Sequence, residues 1–417
     1  MKVLVVGGGA REHAIAWKLS LSKYITKIYS SPGNAGIAEI AECFDVSPNN
    51  FDALVDFVKY EWIDLTVVSS EKVLAKGLVN AFEREGRRIL GLNRSVAQVG
   101  VSRVFTKNLM KNHRIPTAEF KIFTSYLHAQ DYVRLKGVPL VIKTDGHTED
   151  SGVFLASTAE DAADILKTIM KDRTFGDAGR QVIIEEHLMG ERVTFVALTD
   201  GKTIIPITSV SVYRKSSHDS PTSNAEAAGA YSPVPVITEE LAGYIMEKIM
   251  RPLLRAFHSE GIQYRGFISA DLIIKGDNAY VSEFYCCFGD LEAQTILPRL
   301  KTDFAELILS ATEEKLSGIE PEWDQRVSAC IAVSSRESHA KDSNGIGITG
   351  LEEIKMMQDT FAFHENTLFR NSDIVTSGGR VLCVTSMGKD LRDASTRAYH
   401  AVEKIHFDGI YYKKDIG

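Results

Sequence analysis

The residues best suited to chemistry are one lysine, two glycine-rich turns and a scatter of paired carboxylates. Lys143 closes the apolar run VPLVIK and leads into TDGHTEDSGV, a loop with glycines at 146 and 152. A lysine beside such a loop can hold a phosphate as a point charge. A lone lysine at a strand end is otherwise simply solvated. Within QVIIEEHLMGE, Glu185 and Glu186 follow an apolar run, where a carboxylate can accept hydrogen bonds from a ribose or an amino group. SEFYCCFGDLE carries Glu283, Asp290 and Glu292, and Asp271 lies on the preceding strand of an inferred hairpin. Carboxylates on neighbouring strands approach closely enough to share a hard cation, and as unpaired like charges they would repel.

The second glycine-rich turn is GGGAREHA, after the run KVLVV. Small residues there let backbone N–H groups meet an anion at a helix N-terminus. The spacing is not G-x-G-x-x-G, so a nicotinamide cofactor is disfavoured. SPGNAG at 31–36 is a further turn able to present amides. No cluster has transition-metal spacing, and neither a P-loop nor a G-x-S-x-G elbow is present.

These residues must be positioned by several domains, because 417 residues exceed one ordinary core. Up to about residue 100, short apolar strands alternate with helical patterns, including REHAIAWKLSLS, FDALVDFVKYE and VLAKGLVNAFEREG. That alternation predicts a parallel, Rossmann-like α/β sheet with right-handed crossovers. From SRVFTKNLMKNH onward the pattern becomes α+β, with the strands AEFKIF, VPLVIKT, GVFLAS, QVIIEEHL and VTFVALTD. Residues 212–229 read as a long polar loop. ELAGYIMEKIMRPLLRAFHSEG reads as a long helix before the pair GFISADLIIKG and NAYVSEFYCCFGD. After about 327 a small α+β unit follows. The expected division is 1–101, 102–326 with a lid at about 122–192, and 327–417.

Composition narrows the partners. Lysines and arginines number 48 against 55 acids, a net charge of −7. That balance argues against nucleic acid and an anionic membrane surface. The five cysteines, at 43, 286, 287, 330 and 383, form no CxxC pair and fit free thiols in a reducing cytoplasm. No signal-peptide pattern and no membrane-length apolar run is seen.

Taken together, VLVVGGGAREHA, PGNAG, IPTAEF, IIEEHLMGE, GAYSPVPV, EFxxxFGDxE, GGRVLCVT and AYHAVEKIHFDGIYYKKDIG resemble the phosphoribosylamine–glycine ligases of the ATP-grasp superfamily. The resemblance spans essentially the whole chain. It implies a Rossmann-like N-terminal domain, a central ATP-grasp domain and a small C-terminal α+β domain. It also implies the ligation of glycine to 5-phosphoribosylamine with ATP and magnesium, or manganese in its place, through an acyl phosphate. The chain would be cytoplasmic, a monomer or weak homodimer. By the same resemblance, Arg103, Lys143, Ser151, Glu185 and Glu186 fall at ATP-binding positions. Gly8, Gly9, Arg11, Gly33, Asn34, Glu71, Arg214 and Lys215 fall at substrate-binding positions. Asp290 and Glu292 fall in the catalytic stretch. Glu283 is the family's metal ligand, and Asp271 is a second candidate.

The chain also departs from the family pattern. The loop K-A-D-G-L-A-A-G-K-G-V is here KTDGHTEDSGV, which places Glu149 and Asp150 where a triphosphate would lie. Tyr285 replaces a metal-binding Asn, Cys287 an Arg, Arg103 a Lys and Arg192 a Glu. Segments 211–215 and 222–229 are altered, and only Glu71 survives of a Gly-Pro-Glu stretch. These changes cluster on phosphate and metal handling. They leave open a diverged paralogue without ligase chemistry, or a ligase for another acid or amine.

Overall fold

Val3, Leu4, Val5 and Val6 are buried to 1% exposure or less, as expected of a strand covered on both faces. In the computed structural model, which describes residues 1–146, 152–214, 227–335 and 344–417, they form the middle strand of a five-stranded parallel sheet. Its strands are β1 (Lys2–Gly7), β2 (Lys27–Pro32), β3 (Glu42–Cys43), β4 (Leu65–Val68) and β5 (Ile89–Leu90), in the order β3-β2-β1-β4-β5. The expected parallel sheet is therefore present. The single helix expected over VLAKGLVNAFEREG is instead two, Glu71–Lys76 and Leu78–Arg84. Gly77, at φ 98°, turns the chain between them in a conformation that side chains resist.

A small antiparallel sheet follows, built from β6 (Phe120–Phe123), β7 (Leu140–Thr144), β8 (Val153–Ala156) and β9 (Val182–Glu186) in the order β6-β9-β7-β8. Helices Tyr126–Lys136 and Ala159–Leu166 cover it through Ala129, Val133, Ala162 and Leu166.

The remaining strands form one large antiparallel sheet. They are β10 (Glu191–Thr199), β11 (Ile204–Arg214), β12 (Ala227–Ser232), β13 (Gly266–Lys275), β14 (Asn278–Tyr285), β15 (Val327–Ser335) and β16 (Thr360–His364). After the hairpin β17 (Thr367–Arg370) and β18 (Asp373–Thr376) come β19 (Arg380–Gly388) and β20 (Ile410–Tyr411). The order β14-β13-β10-β11-β12-β15-β19-β16, with β20 against β15, joins the central and C-terminal parts in a single sheet. The join depends on β11, whose first half pairs with β10 and whose second half pairs with β12. The polar stretch read as a loop over 212–229 is thus strand at both described ends. A Cβ at Gly229 would lie 2.9 Å from the Cys330 carbonyl oxygen, so that crossing requires glycine. No helix among the described residues is long and apolar enough to cross a membrane.

The N-terminal sheet is fastened to the C-terminal strands through two buried histidines. His13 Nδ1 accepts a hydrogen bond from the His364 backbone N–H at 2.9 Å, and His364 Nδ1 lies 3.0 Å from Thr367 Oγ1. Burial pushes His13 well below the ordinary imidazole value, with His364 adding to the effect. His364 is pushed from 6.5 to about 4 by burial and by the Lys355 charge. The unfolded chain therefore takes up protons below about pH 6.5 that the folded chain refuses until about pH 4. The stabilisation is complete above that window and is lost as pH falls through it. A shift of this size corresponds to about 3 kcal/mol for His364. Urea midpoints should fall between pH 7 and pH 4.5, and His364→Gln should flatten the slope; an unchanged slope would remove His364 as its source.

Candidate nucleotide and phosphoribosyl sites

Three cations and two carboxylates converge where the small sheet meets β14. Arg103 opens the helix Arg103–Asn112, capped by the Ser102 hydroxyl, and Lys107 lies one turn further along the same face. In the β7/β9 register Val141 faces Glu185, so Lys143, two residues on, projects from the same side as Glu185. Lys143 Nζ lies 3.2 Å from Glu185 Oε2 and 3.7 Å from Glu283 Oε1, and it donates to the Ser282 carbonyl at 3.3 Å. Its side chain is 2% exposed, so it is not the solvated residue a strand-end lysine usually is.

Lys107, which the sequence reading missed, is equally buried. Its ammonium lies 2.9 Å from Glu185 Oε1 and donates to Thr117 Oγ1 at 2.6 Å. Glu185 thus holds one buried ammonium on each oxygen, Lys107 at Oε1 and Lys143 at Oε2. Burial pushes Lys107 down to about 8, against the opposing pull of Glu185. The signal that could have found it was its spacing, four residues after Arg103 on an amphipathic helix.

Arg103 spans the mouth of this cluster. Its Nε donates to Glu283 Oε1 at 2.7 Å, and Nη1 donates to the carbonyls of Thr144 at 3.2 Å and Gly146 at 2.8 Å. Tyr285 donates its hydroxyl to Glu283 Oε2 at 3.0 Å. Burial would raise the Glu283 carboxyl, but Arg103 and then Lys143 outweigh it and hold the group well below the carboxylate range. Arg103, Lys107, Lys143 and Glu283 all line one narrow cleft.

The other carboxylates have different surroundings. Glu186 leaves the cluster and accepts from the Glu119 N–H at 2.9 Å. Asp271 faces Glu283 in the β13/β14 register, so the two side chains leave the same face of the sheet. Glu292 is buried and accepts from Ser269 Oγ at 2.8 Å and the Gly289 N–H at 2.7 Å, locking that turn. Asp290 accepts from the Leu291 N–H and Gln294 Nε2, and pairs with Arg380, which also holds Glu365. The two carboxylates expected to be catalytic thus secure a turn and a contact with β19. Among the described residues, no group of three histidine, cysteine or acidic side chains could hold a metal ion.

A second site is assembled from the N-terminal turns. A Cβ on Gly8 would fall 2.4 Å from the Gly33 carbonyl oxygen, so the two turns touch through bare backbone. Asn34 Nδ2 donates to the carbonyls of Gly8 at 2.8 Å and His364 at 2.7 Å. Glu12 accepts from the Gly9 N–H at 2.9 Å and pairs with Arg11 at 3.0 Å. That amide is therefore satisfied within the protein. Glu12 was missed, although a glutamate three residues after a helix N-cap is the capping-box pattern. Arg11 Nη1 donates to the Phe288 carbonyl at 2.9 Å and lies 3.9 Å from Cys287 Sγ, and Glu71 accepts from the Cys286 N–H at 2.9 Å. The turn following β14 is thereby drawn against the N-terminal sheet. Ser151, Lys215, Glu149 and Asp150 lie outside the described residues. Arg214 ends β11.

A small antiparallel sheet set against a larger one, with lysines and glutamates meeting between them, is the arrangement of an ATP-grasp protein. The chain matches the models of the phosphoribosylglycinamide synthetase N domain over residues 1–100, its ATP-grasp domain over 101–293 and its C domain over 328–417. The phosphoribosylamine–glycine ligase of Caldanaerobacter subterraneus subsp. tengcongensis is 40% identical, covering 100% of this chain and 99% of that protein. That of Escherichia coli K12 is 39% identical, covering 100% and 98%. The crystal structure of the Thermotoga maritima phosphoribosylamine–glycine ligase superposes with a TM-score of 0.83 at 24% identity over the full length of both chains. A biotin carboxylase from Campylobacter jejuni, solved with a β,γ-ATP ligand, superposes at 0.75 with 11% identity over 98% of this chain and 92% of its own. The chain belongs to the phosphoribosylglycinamide synthetase family, ATP-grasp carboxylate–amine ligases of purine synthesis. ATP-grasp proteins generally bind ATP together with a divalent metal.

Proposed function

We propose that this chain joins glycine to 5-phosphoribosylamine at the expense of ATP, giving glycinamide ribonucleotide, ADP and phosphate. The observation that carries this reading is the buried convergence of Arg103, Lys107 and Lys143 on Glu185 and Glu283 beside a cleft. Three cations in poor solvent beside the cleft can meet a polyphosphate through charge-assisted hydrogen bonds. In the reaction a glycine carboxylate oxygen attacks the terminal phosphorus and ADP leaves. The amine then attacks the acyl carbon, phosphate leaves and the amine proton is released. The chain's part is to fix the phosphates and exclude water. Arg11 and the touching turns at Gly8 and Gly33–Asn34 would seat the ribose phosphate near the chain segment 286–290, where acid and amine would meet.

Magnesium, or manganese, at Glu283 and Asp271 is the sequence-based assignment for the metal. Glu283 and Asp271 leave the same face of the sheet and would hold such an ion, which would supply charge neutralisation to the phosphates, and no step is routed through it. We retain the division at 101 and 326 as the functional one, with a cytoplasmic monomer or weak homodimer. The test is ADP release by the purified chain. It should require both glycine and freshly generated phosphoribosylamine; release that needs a different acid, or none at all with both present, would refute the assignment.

A further inference from the structure

Arg87 carries a charge that the protein leaves unpaired. Among the described residues its guanidinium forms no ion pair, and its Nε is buried without a hydrogen-bond partner. A buried donor left in that state is uncommon and calls for a partner. Arg87 lines a cavity of about 330 Å³ together with Glu83, Arg88, Ile89, Gln263 and Arg265. The cavity lies at the seam between the N-terminal sheet and the turn before β13, and it shares no residue with the nucleotide cleft. Small-molecule sites favour such seams and such volumes.

The other charges around the cavity are partly spent. Arg88 Nη1 pairs with Glu313 at 3.1 Å, and Arg265 pairs with Glu314 and donates to the Thr312 carbonyl at 3.3 Å. Glu85, whose charge reaches Arg87, is itself held by Lys59 at 2.6 Å. Glu83 forms no ion pair among the described residues. Burial raises its carboxyl, and the Arg265 charge pulls against that. What remains unmatched is one guanidinium and one carboxylate in the same wall, not paired with each other. Their complement is a zwitterion, with a carboxylate for the planar fork of Arg87 and an ammonium for Glu83. Only Nη1 of Arg88 is taken by Glu313, so its remaining donors suit a second carboxylate. The main chain adds to this. β5 ends its sheet, the Thr66 N–H donates to the Arg88 carbonyl, and Val67 lies opposite Leu90, so Ile89 turns its own N–H and C=O to the open side.

We propose that this cavity is a binding site for an acidic α-amino acid, with the α-carboxylate on Arg87, the ammonium on Glu83 and the side-chain carboxylate on Arg88. The site is separate from the nucleotide and phosphoribosyl sites and does not depend on the reading of either.

Calorimetric titration of the full chain with L-glutamate and with glutarate, which keeps both carboxylates and lacks the ammonium, tests it. L-Glutamate should bind the unaltered chain with about millimolar affinity or tighter, and about tenfold more tightly than glutarate. Arg87→Gln should weaken both ligands by about tenfold or more. Glu83→Gln should weaken L-glutamate alone, so that the two ligands then bind within about threefold of each other. Both substitutions lie in the wall of a solvent-open cavity, and urea midpoints should stay near that of the parent. Absence of L-glutamate binding by the parent at about 10 mM, binding that neither substitution changes, or a parent that holds glutarate as well as L-glutamate would each overturn the proposal.

Discussion

Lys143→Met is expected to cost both stability and nucleotide affinity. The substitution keeps the length and apolar stem of the side chain but removes an ammonium that is 2% exposed between Glu185 and Glu283. Taking one partner from a buried ion pair typically costs about 3–5 kcal/mol, because the remaining charges stay out of water without compensation. Nucleotide affinity should fall roughly a hundredfold, about 2.7 kcal/mol, since the phosphates lose a cation at the closed end of the cleft. Urea unfolding and calorimetry measure the two effects. Lys136→Met is the control, because that ammonium pairs with Glu119 at the surface and should leave nucleotide affinity within about twofold. A Lys143 variant as stable as the parent would show that the ammonium is not held in the network.

Gly8→Ala should disable the other site and spare this one. The added methyl would lie 2.4 Å from the Gly33 carbonyl oxygen and 3.0 Å from its carbon, and backbone cannot swing aside as a side chain can. The turns must part, which would cost about 2–3 kcal/mol as an overpacked contact. Ribose 5-phosphate at millimolar concentration should raise the melting temperature of the parent and leave that of the variant unmoved. ATP binding should persist in both. A variant that still responds to ribose 5-phosphate would take the touching turns out of the phosphoribosyl site.

The two sites differ in how far the amino-acid order discloses them. Gly8, Gly33 and Asn34 stand out because turns that meet through backbone need small residues, and that need is written locally. The nucleotide cluster was legible only in its parts. Lys143 and Glu185 were visible as strand-end residues, yet the same residues on a surface would read identically. Lys107 went unread, although its place four residues after Arg103 was there to see. Asp290 and Glu292 show the reverse case. Their motif is plain, and their bonds to Arg380 and to the Gly289 turn cannot be inferred from it.

What the sequence by itself determined was local and periodic. Apolar runs of strand length, helical spacing and glycines at the turns specified the parallel sheet and the α+β character of the rest, and the quoted motifs carried the family resemblance. Its errors were local too. A glycine read as part of one helix divides two, and a polar stretch read wholly as loop continues as strand at both described ends. Only the tertiary structure decided which charges leave water and which meet. Arg103, Lys107, Lys143, Glu185 and Glu283 come from a helix and three strands spread over 180 residues. Coulomb energy rises steeply over the last few ångströms and as solvent is withdrawn, so residue types alone cannot fix it. Packing brought the Arg103 guanidinium to the Glu283 carboxylate.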